Sequence, residues 1–402
     1  MRHPGPFPAL RHRNFRVFIV GQGISIIGTW MQTTAQAWLV LTLTSSAFLL
    51  GAVSALQWLP LTVLGVIGGA LADRLPKRRV LMVTQSILMV QAVALAVLTW
   101  TGSVRYWHVA VLAALLGIVN SFDLPTRQAF FVDMVAREDL MNAIALNSAL
   151  TNVGRVVGPA VSGLIIASSG VSAAFLLNAL SFLAVIAALR AMHVRPPEPI
   201  PPRPLVGHIK EGLAYVRGTP SLLTMMALLA AVSTFVLNFG SVLVPVLARG
   251  ILGGSAHTFG LLMSSLGAGS LTGALTLAVA SRRGPDRGLI NTGAVAVTLM
   301  VLALGFVQTL HQAAILLFVS GFSMIVFSAT ANSFVQSLAP DHLLGRVMSI
   351  HSVLWAGITP VGALLTGGIM DVWGPRAGFW VGGSLGLVSI AVVTWWTRSR
   401  RG

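Results

Sequence analysis

One cation lies in the middle of a long apolar run of the sequence. Arg155 stands near the centre of residues 141–168, and no acidic residue occurs within that run. A charge at such a position inside a membrane is costly and is generally kept for function. Two roles fit: the guanidinium binds an anionic group of a small molecule, or it hydrogen-bonds backbone carbonyls that the nearby Pro159 leaves without a donor. Gly158 and Pro159 together predict a helix kink and a close helix contact.

An earlier run, 17–43, carries more hydrogen-bonding side chains than contact with lipid would tolerate, so one face of it is expected to point inward. The cavity candidates in this run are Gln22, Ser25, Thr29, Thr33 and Gln36. The corresponding candidates in two later runs are Asn238, His351 and Trp355. For each residue, ordinary hydrogen bonding between helices is the alternative. His351 has no partner ligands at a suitable spacing, so no metal site is predicted.

The motifs of several other chemistries do not occur in the sequence. The chain has no cysteine, which excludes disulfides, thiolate metal sites and cysteine nucleophiles. It has no Gly-x-x-x-x-Gly-Lys-Ser/Thr phosphate loop, and no serine-hydrolase or zinc motif rises above chance. We therefore expect neither an enzyme nor a cofactor, and the energy for any transport must come from an ion gradient rather than directly from ATP.

The composition is that of a membrane protein. The chain is 55% hydrophobic and 9% charged over 402 residues, whereas about a quarter of the residues of soluble domains are charged. A net charge of +16 would fit nucleic-acid binding if the basic residues formed a patch on a water-facing surface. Here they lie between the apolar runs, so we expect a lipid bilayer, and no nucleic acid, as the partner of the chain.

Twelve runs are long and apolar enough to cross a bilayer as helices. Their approximate limits are 17–43, 47–72, 80–100, 107–131, 141–168, 171–190, 221–247, 257–280, 289–308, 312–336, 346–370 and 377–396. If the N-terminus is cytoplasmic, the 26 Lys and Arg residues lie in or beside cytoplasmic segments with four exceptions: Arg105, Arg155, Arg249 and Arg376. This distribution follows the positive-inside rule. It predicts a multi-pass protein of a bacterial-type inner membrane with both termini in the cytoplasm.

The chain divides into two similar halves. The proline-rich residues 196–204 cannot be helical and predict a stiff connector. Residues 205–217 have the spacing of an amphipathic surface helix, with a solvated linker as the alternative. Ser46-Ala47 recurs as Ser255-Ala256, with a glycine at the same distance after each. The predicted domains are an N-terminal six-helix bundle at 1–195, a cytoplasmic linker at 196–220 and a C-terminal six-helix bundle at 221–402.

The loop after the second run carries a family signature. Residues 69–79 read Gly-Ala-Leu-Ala-Asp-Arg-Leu-Pro-Lys-Arg-Arg. This resembles the loop signature of the major facilitator superfamily, Gly-x-Leu-Ala-Asp-Arg-x-Gly-Arg-Arg, with Gly69, Asp73 and Arg74 in place. Pro76 stands where the family usually has glycine, which puts the local turn in question.

A second block narrows the resemblance. Residues 123–130, followed by 140–143 and by Gly158-Pro159, are similar to the branch of the superfamily that contains the enterobactin exporter and the macrolide efflux pumps. The resemblance implies the major facilitator fold, an all-α membrane protein with twelve transmembrane helices in two pseudo-symmetric six-helix bundles. It also implies that the first span lines the substrate cavity and that protons are the coupling ion.

The loop motif and its neighbours suggest a gate. The residues assigned to it are Gly69, Asp73, Arg74, Lys77, Arg78, Asp123 and Arg127. A carboxylate at Asp73 can sit at the positive N-terminal end of a neighbouring helix, which by resemblance is the eleventh span, beginning near Arg346. Asp123 can pair with Lys77 or Arg78 across the loop, and it lies one turn from Arg127. The alternative is that these are solvated charges at helix ends, which stabilise little.

These features together favour a secondary active transporter that works by alternating access as a monomer. The expected activity is proton-coupled efflux of a small amphiphilic compound, either a drug or a siderophore-like molecule. The candidate proton carriers are Asp123, Asp133 and His351. An importer of the same fold is the runner-up, and a membrane sensor or scaffold without a transport cycle is a second class. An ion channel would need rings of charged or carbonyl ligands that this chain does not offer.

Overall fold

The computed structural model of the chain describes residues 7–72, 75–192, 205–280 and 286–399, and the predicted connector at 196–204 lies outside them. The described part of the first half is helical because apolar segments in lipid must satisfy their own backbone hydrogen bonds. Its helices are α1 (Arg13–Thr44), α2 (Ala47–Ala72), α3 (Lys77–Trp100), α4 (Tyr106–Met134), α5 (Leu140–Ser169) and α6 (Val171–Ala191). Two 3₁₀ turns, Pro8–Arg11 and Arg137–Asp139, precede α1 and α5.

The second half begins with a short helix and continues with the remaining spans. Its helices are α7 (Leu205–Gly218), α8 (Pro220–Phe235), α9 (Val244–Val246), α10 (Ala256–Ala280), α11 (Arg287–Leu304), α12 (Leu310–Leu338), α13 (Asp341–Ser352), α14 (Thr359–Trp373) and α15 (Ala377–Ser399). Three π-helical segments lie between them: Phe239–Leu243, Leu247–Ile251 and Val353–Gly357. The residues after the connector are therefore helical, as one of the two sequence interpretations expected.

Eleven helical segments of the described chain are long and apolar enough to cross a membrane. Helix α1 is not among them, although at 32 residues it would extend about 48 Å. The polar side chains that made α1 a cavity candidate lower its mean hydropathy. With α1 included, the described chain contains the twelve membrane-crossing segments that the sequence predicts.

Two predicted spans have different boundaries from those expected. The span predicted at 221–247 is interrupted after Phe235 and continues through π-helical turns to Ile251. The span predicted at 346–370 begins at Asp341 and is divided by the π segment. A proline has no backbone donor and crowds the preceding turn. Pro245 follows the first π segment and Pro360 follows the third, so a proline accounts for the widened turn that precedes it in these two cases.

The chain forms two compact units. Unit 1 consists of Met1–Leu39 and Leu59–Pro202, and unit 2 consists of Val40–Trp58 and Arg203–Gly402. The end of α1 and the beginning of α2 therefore belong to unit 2. We call residues 40–58 the hairpin tip.

The core of unit 1 contains a cluster of aromatic rings. Phe18 meets Phe130 and Phe131 edge to face, with ring centroids 6.0 and 6.1 Å apart, and all three side chains are buried. These contacts hold α1 against α4. Large apolar side chains also point outward, among them Val63 on α2 and Val90 on α3, which is the pattern of helices that face lipid.

Candidate substrate site and gate residues

Arg155 lies beside an aromatic ring of α1. Its guanidinium carbon is 5.1 Å from the ring centroid of Trp30, which is within the range of a cation–π interaction. The side chain is half-buried, and its Nε is buried without a hydrogen-bond partner in the described structure. The structure shows no bond from Arg155 to the carbonyls near Pro159 in the described residues. The Trp30 ring thus positions the guanidinium of Arg155, and the Nε–H of Arg155 remains available to donate a hydrogen bond.

Helix α1 packs closely on α5 at this point. A Cβ on Gly158 would lie 2.6 Å from Cβ of Trp30, and one on Gly154 would lie 2.4 Å from a methyl carbon of Ile26. Ser162 Oγ donates to the carbonyl of Met31 at 3.0 Å. Helix α5 runs through Pro159 as one continuous element. Gly158 is therefore required for the contact that places Trp30 next to Arg155.

The polar residues of α1 do not form one solvated stripe. Thr29 and Thr33 are half-buried and donate to carbonyls of their own helix, Ser25 O at 2.8 Å and Thr29 O at 3.0 Å. Gln22, Ser25 and Gln36 are buried. Oε1 of Gln22 has no hydrogen-bond partner among the described residues. Gln22 thus presents an unused acceptor in the interior of unit 1.

A chain of buried side-chain amides crosses unit 1, and the sequence did not reveal it. Asn178 Nδ2 donates to Gln32 Oε1 at 2.7 Å, and Gln32 Nε2 donates to Gln91 Oε1 at 3.0 Å. All three side chains are buried. The network joins α1, α3 and α6, and it fixes the rotation of α1 about its axis. Amides spaced far apart in sequence give no signal that they will meet.

Asp123 is completely buried, and of the three cations considered for it the structure pairs it with Arg127. Its carboxylate accepts from Thr84 Oγ1 at 2.6 Å and from Gln85 Nε2 at 2.9 Å, both on α3. It also forms an ion pair with Arg127, one turn along α4. The expected pairing of Asp123 with Lys77 or Arg78 is wrong, because the carboxylate lies deeper between α3 and α4 than the loop cations reach.

The loop cations bind elsewhere in unit 1. Lys77 Nζ lies 2.9 Å from both carboxylate oxygens of Asp133. Asp133 is in the last turn of α4. Arg78 donates from Nε to the carbonyl of Leu189 at 2.6 Å and from Nη2 to that of Arg190 at 3.1 Å. These carbonyls end α6 and have no partner within the helix, so Arg78 caps it.

The remaining loop residues have different outcomes. Asp73 and Arg74 lie outside the described residues. A Cβ on Gly69 would meet nothing within 4 Å, whereas one on Gly68 would lie 1.8 Å from the carbonyl oxygen of Ser121. The close approach of α2 to α4 thus depends on Gly68, which the motif does not single out.

The candidates of the second half flank the π segments. Asn238 precedes the first segment; its Nδ2 donates to Thr234 O at 2.9 Å, and its buried Oδ1 has no partner in the described chain. His351 is buried and its Nε2 likewise has no partner in this part of the chain. Trp355 lies within the third segment. No group of His, Asp and Glu among the described residues could hold a metal ion.

One acidic residue was missed altogether. Asp371, near the end of α14, accepts three hydrogen bonds from the start of α2: from Ser46 Oγ at 2.5 Å, Ala47 N at 2.7 Å and Phe48 N at 3.2 Å. The sequence does contain a signal for it. In the predicted topology Asp371 is the only one of the ten Asp and Glu residues outside the cytoplasmic half of the protein.

Known proteins are similar to this chain over nearly its entire length. Residues 4–400 match the family described as transmembrane secretion effector. The multidrug efflux pump Tap of Mycolicibacterium fortuitum is 29% identical over 89% of this chain and 88% of its own length. The staphyloferrin A transporter of Staphylococcus aureus is 25% identical over 89% and 90%. Macrolide efflux protein A of Streptococcus pyogenes is 24% identical over 94% of both chains.

Solved structures agree on the fold. The nucleoside transporter NupG superposes with a TM-score of 0.76 at 11% identity, over 95% of this chain and 98% of its own. A D-xylose-proton symporter gives 0.74 at 14% identity, over 95% and 97%. The predicted fold class is confirmed, and the expectation that the chain is no enzyme agrees with its relatives, which are transporters. The chain belongs to the transmembrane secretion effector family of the major facilitator superfamily.

Proposed function

We propose that the protein is a secondary active efflux carrier for small amphiphilic compounds of the drug or siderophore-like class, working by alternating access. The observation that carries the proposal is the half-buried guanidinium of Arg155, held over Trp30 with an unpartnered Nε. A membrane protein keeps such a charge where it serves binding. The names of the relatives, two efflux pumps and a siderophore transporter, support the same substrate class.

The chemistry around Arg155 favours a substrate that combines an anionic group with an apolar or aromatic body. The guanidinium supplies charge-assisted donors, and Trp30 offers an aromatic face. Gln22, two turns before Trp30 on α1, is a further candidate, because its Oε1 has no hydrogen-bond partner among the described residues. On this proposal Thr29 and Thr33 contribute further polar contacts in unit 1, and Asn238 and Trp355 are the candidate substrate contacts of unit 2.

The proposed setting is the bacterial inner membrane, with both termini in the cytoplasm and the chain acting as a monomer. The distribution of Lys and Arg supports this orientation. The proposed domains are 1–195, the linker 196–220 and 221–402. In this orientation Lys77, Arg78, Asp123 and Arg127 lie at the cytoplasmic end. There they rigidify the elements on either side of the loop with Gly69, Asp73 and Arg74, which we propose as the inner gate.

Protons are the proposed coupling ion. His351 is the favoured carrier, because it is buried and its Nε2 has no hydrogen-bond partner among the described residues, and because imidazole is the side chain that titrates near neutral pH. Asp123 is already engaged by three donors, and Asp133 by Lys77. Both are therefore less available to exchange a proton during a cycle.

The test is a growth screen followed by direct transport. An efflux-deficient bacterium expressing the chain is grown against a panel of toxic compounds, some anionic and some cationic, and the protected compounds are then assayed in proteoliposomes with an imposed pH gradient. We expect protection and gradient-dependent movement, with anionic amphiphiles preferred. Movement that ignores every imposed gradient would contradict coupling, and sensitisation of the cells would identify an importer.

A matched pair of variants tests the role of Arg155. Arg155→Gln removes the half-buried charge, whereas Arg137→Gln removes an exposed one in the turn before α5. We expect Arg155→Gln to abolish transport of the anionic compounds and Arg137→Gln to leave it unchanged. Equal transport by both variants would remove Arg155 from the binding site.

A further inference from the structure

Asp371 caps a helix to which it does not belong. Its Oδ1 accepts from the backbone N of Ala47, and its Oδ2 accepts from Ser46 Oγ and the backbone N of Phe48. The first amides of a helix have no partner within the helix and carry partial positive charge. The carboxylate therefore holds the first turn of α2 to the last turns of α14 with both charge and hydrogen bonds.

The contact continues along both helices as a seam in which Gly51 and Gly367 allow the two backbones to approach closely. A Cβ on Gly367 would lie 2.4 Å from the carbonyl oxygen of Ala47, and one on Gly51 would lie 2.5 Å from that of Ala363. On α14 the three contact positions are spaced four residues apart, as are the two on α2, so each set lies on one face of its helix. The backbones touch, and Asp371 closes the seam at its outer end.

A second residue, Arg249, also contacts the hairpin tip. Arg249 Nη1 donates to Thr42 Oγ1, in the last turn of α1, at 2.7 Å. Arg249 and Asp371 both line a cavity of about 400 Å³ beside the tip, together with Ser45 and Met370. Within unit 2, the tip is thus bound by hydrogen bonds to both Arg249 and Asp371. The helices α1 and α2, to which the tip belongs, continue into unit 1.

We propose that Asp371 is the latch of the outer gate: its carboxylate keeps the outer ends of α2 and α14 together, and the outward-open state requires its release. The inference rests on the proposed alternating-access function and on the proposed orientation. Under that orientation the hairpin tip lies at the outer face, where Asp371 is the only acidic residue. No other carboxylate is available there to take over the first turn of α2.

The natural absence of cysteine makes a direct test possible. Ser54→Cys places one thiol on α2, one turn beyond Gly51, at a position that is buried in the present structure. Intact cells are treated with a membrane-impermeant maleimide, and the rate of labelling is measured in the Ser54→Cys background. We expect slow labelling with Asp371 present, labelling several-fold faster with Asp371→Asn, and a smaller increase with Ser46→Ala, which removes one of the three bonds.

The matched control is Asp286→Asn. Asp286 also caps a helix, but the helix is its own, α11. Its Oδ1 accepts a hydrogen bond from Gly288 N at 2.9 Å. We expect the control to label at the parent rate and Asp371→Glu, which keeps the charge, to label more slowly than Asp371→Asn. Size-exclusion profiles confirm that each variant is folded. A mutant that elutes as aggregate is replaced by Ser46→Ala, which loses the bond to Asp371 and the bond that Leu49 N donates to Ser46 Oγ and still predicts faster labelling.

The outcomes separate the latch from the efflux function, because labelling needs no substrate. Faster labelling of Asp371→Asn supports the latch even if no compound is exported. Unchanged labelling of both Asp371→Asn and Ser46→Ala overturns the latch even if export is found. Fast labelling of the parent from outside, or labelling only from the cytoplasmic side in inverted vesicles, also overturns it.

Discussion

Trp30 and Arg155 are joined across two helices, with the guanidinium carbon 5.1 Å from the indole centroid. Desolvated cation–π pairs are worth about 2 kcal/mol, and indole is the strongest of the aromatic partners. Trp30→Phe keeps an aromatic ring in place but weakens its attraction for the cation. We expect a several-fold increase in KM for an anionic substrate with little change in kcat, measured as initial rates in proteoliposomes.

The control for this variant is Trp107→Phe, since Trp107 is exposed at the start of α4. It should leave KM unchanged. A Trp30→Phe protein with the parent's KM would show that Trp30 does not orient Arg155 for binding.

A second prediction concerns the contact of α5 with α1. Gly158→Ala adds a Cβ 2.6 Å from Trp30 Cβ and 3.0 Å from the carbonyl oxygen of Ile27. Overpacking of this kind destabilises by about 1–3 kcal/mol. We expect Gly158→Ala to have a lower melting temperature in detergent than the parent protein, with unfolding monitored by tryptophan fluorescence. Gly65→Ala is the control, because its nearest neighbour, Leu61, is 3.8 Å away; equal melting temperatures for the two variants would contradict the packing argument.

Two ion pairs of the first half should contribute differently to stability. Asp123 is fully buried and its partner Arg127 is 16% exposed, whereas the side chains of Lys77 and Asp133 are 12% and 21% exposed. Removing one member of a buried pair costs about 3–5 kcal/mol, since it leaves an uncompensated charge. The Asp133 carboxylate, unlike that of Asp123, is partly exposed to solvent, and solvent weakens an ion pair, to about 0–1 kcal/mol when the pair is fully exposed. Asp123→Asn should therefore lower the melting temperature much more than Asp133→Asn, and the reverse order would disprove the assignment.

The buried amide chain can be tested by a double-mutant cycle. Gln32→Met and Asn178→Leu each remove one amide with little change of volume. Hydrogen bonds between helices in membranes couple by about 0.6 kcal/mol on average and by up to about 1.7 kcal/mol. We expect a coupling in this range from equilibrium unfolding in mixed micelles. Asn178→Leu combined with Gln336→Met, which affects a separate exposed pair in α12, should be additive.

The sequence predicts those features that depend on residues near one another in the chain. Apolar runs of sufficient length predict the spans, since crossing lipid constrains every residue of a helix. Arg155 stood out because a single charge in such a run is rare. The loop motif likewise indicated the family from a few consecutive residues.

Features that depend on which helices meet could not be predicted in the same way. Asp123 was assigned to the loop cations, although its donors lie on the facing side of α3, and Asp133 takes Lys77 instead. The amide chain and the cap of Asp371 join residues far apart in sequence. Their partners are set by helix rotation and depth, which hydropathy does not encode.

The π segment at Val353–Gly357 sets the direction in which the C-terminal half of its span faces. A π turn contains one residue more than an α turn, and one residue corresponds to about 100° of rotation. Loss of a single amino acid there would swing Asp371 away from the first turn of α2 while leaving the hydropathy of the span unchanged. The direction in which that carboxylate points is therefore set by the number of residues in a single turn that lies about four helical turns away along the chain.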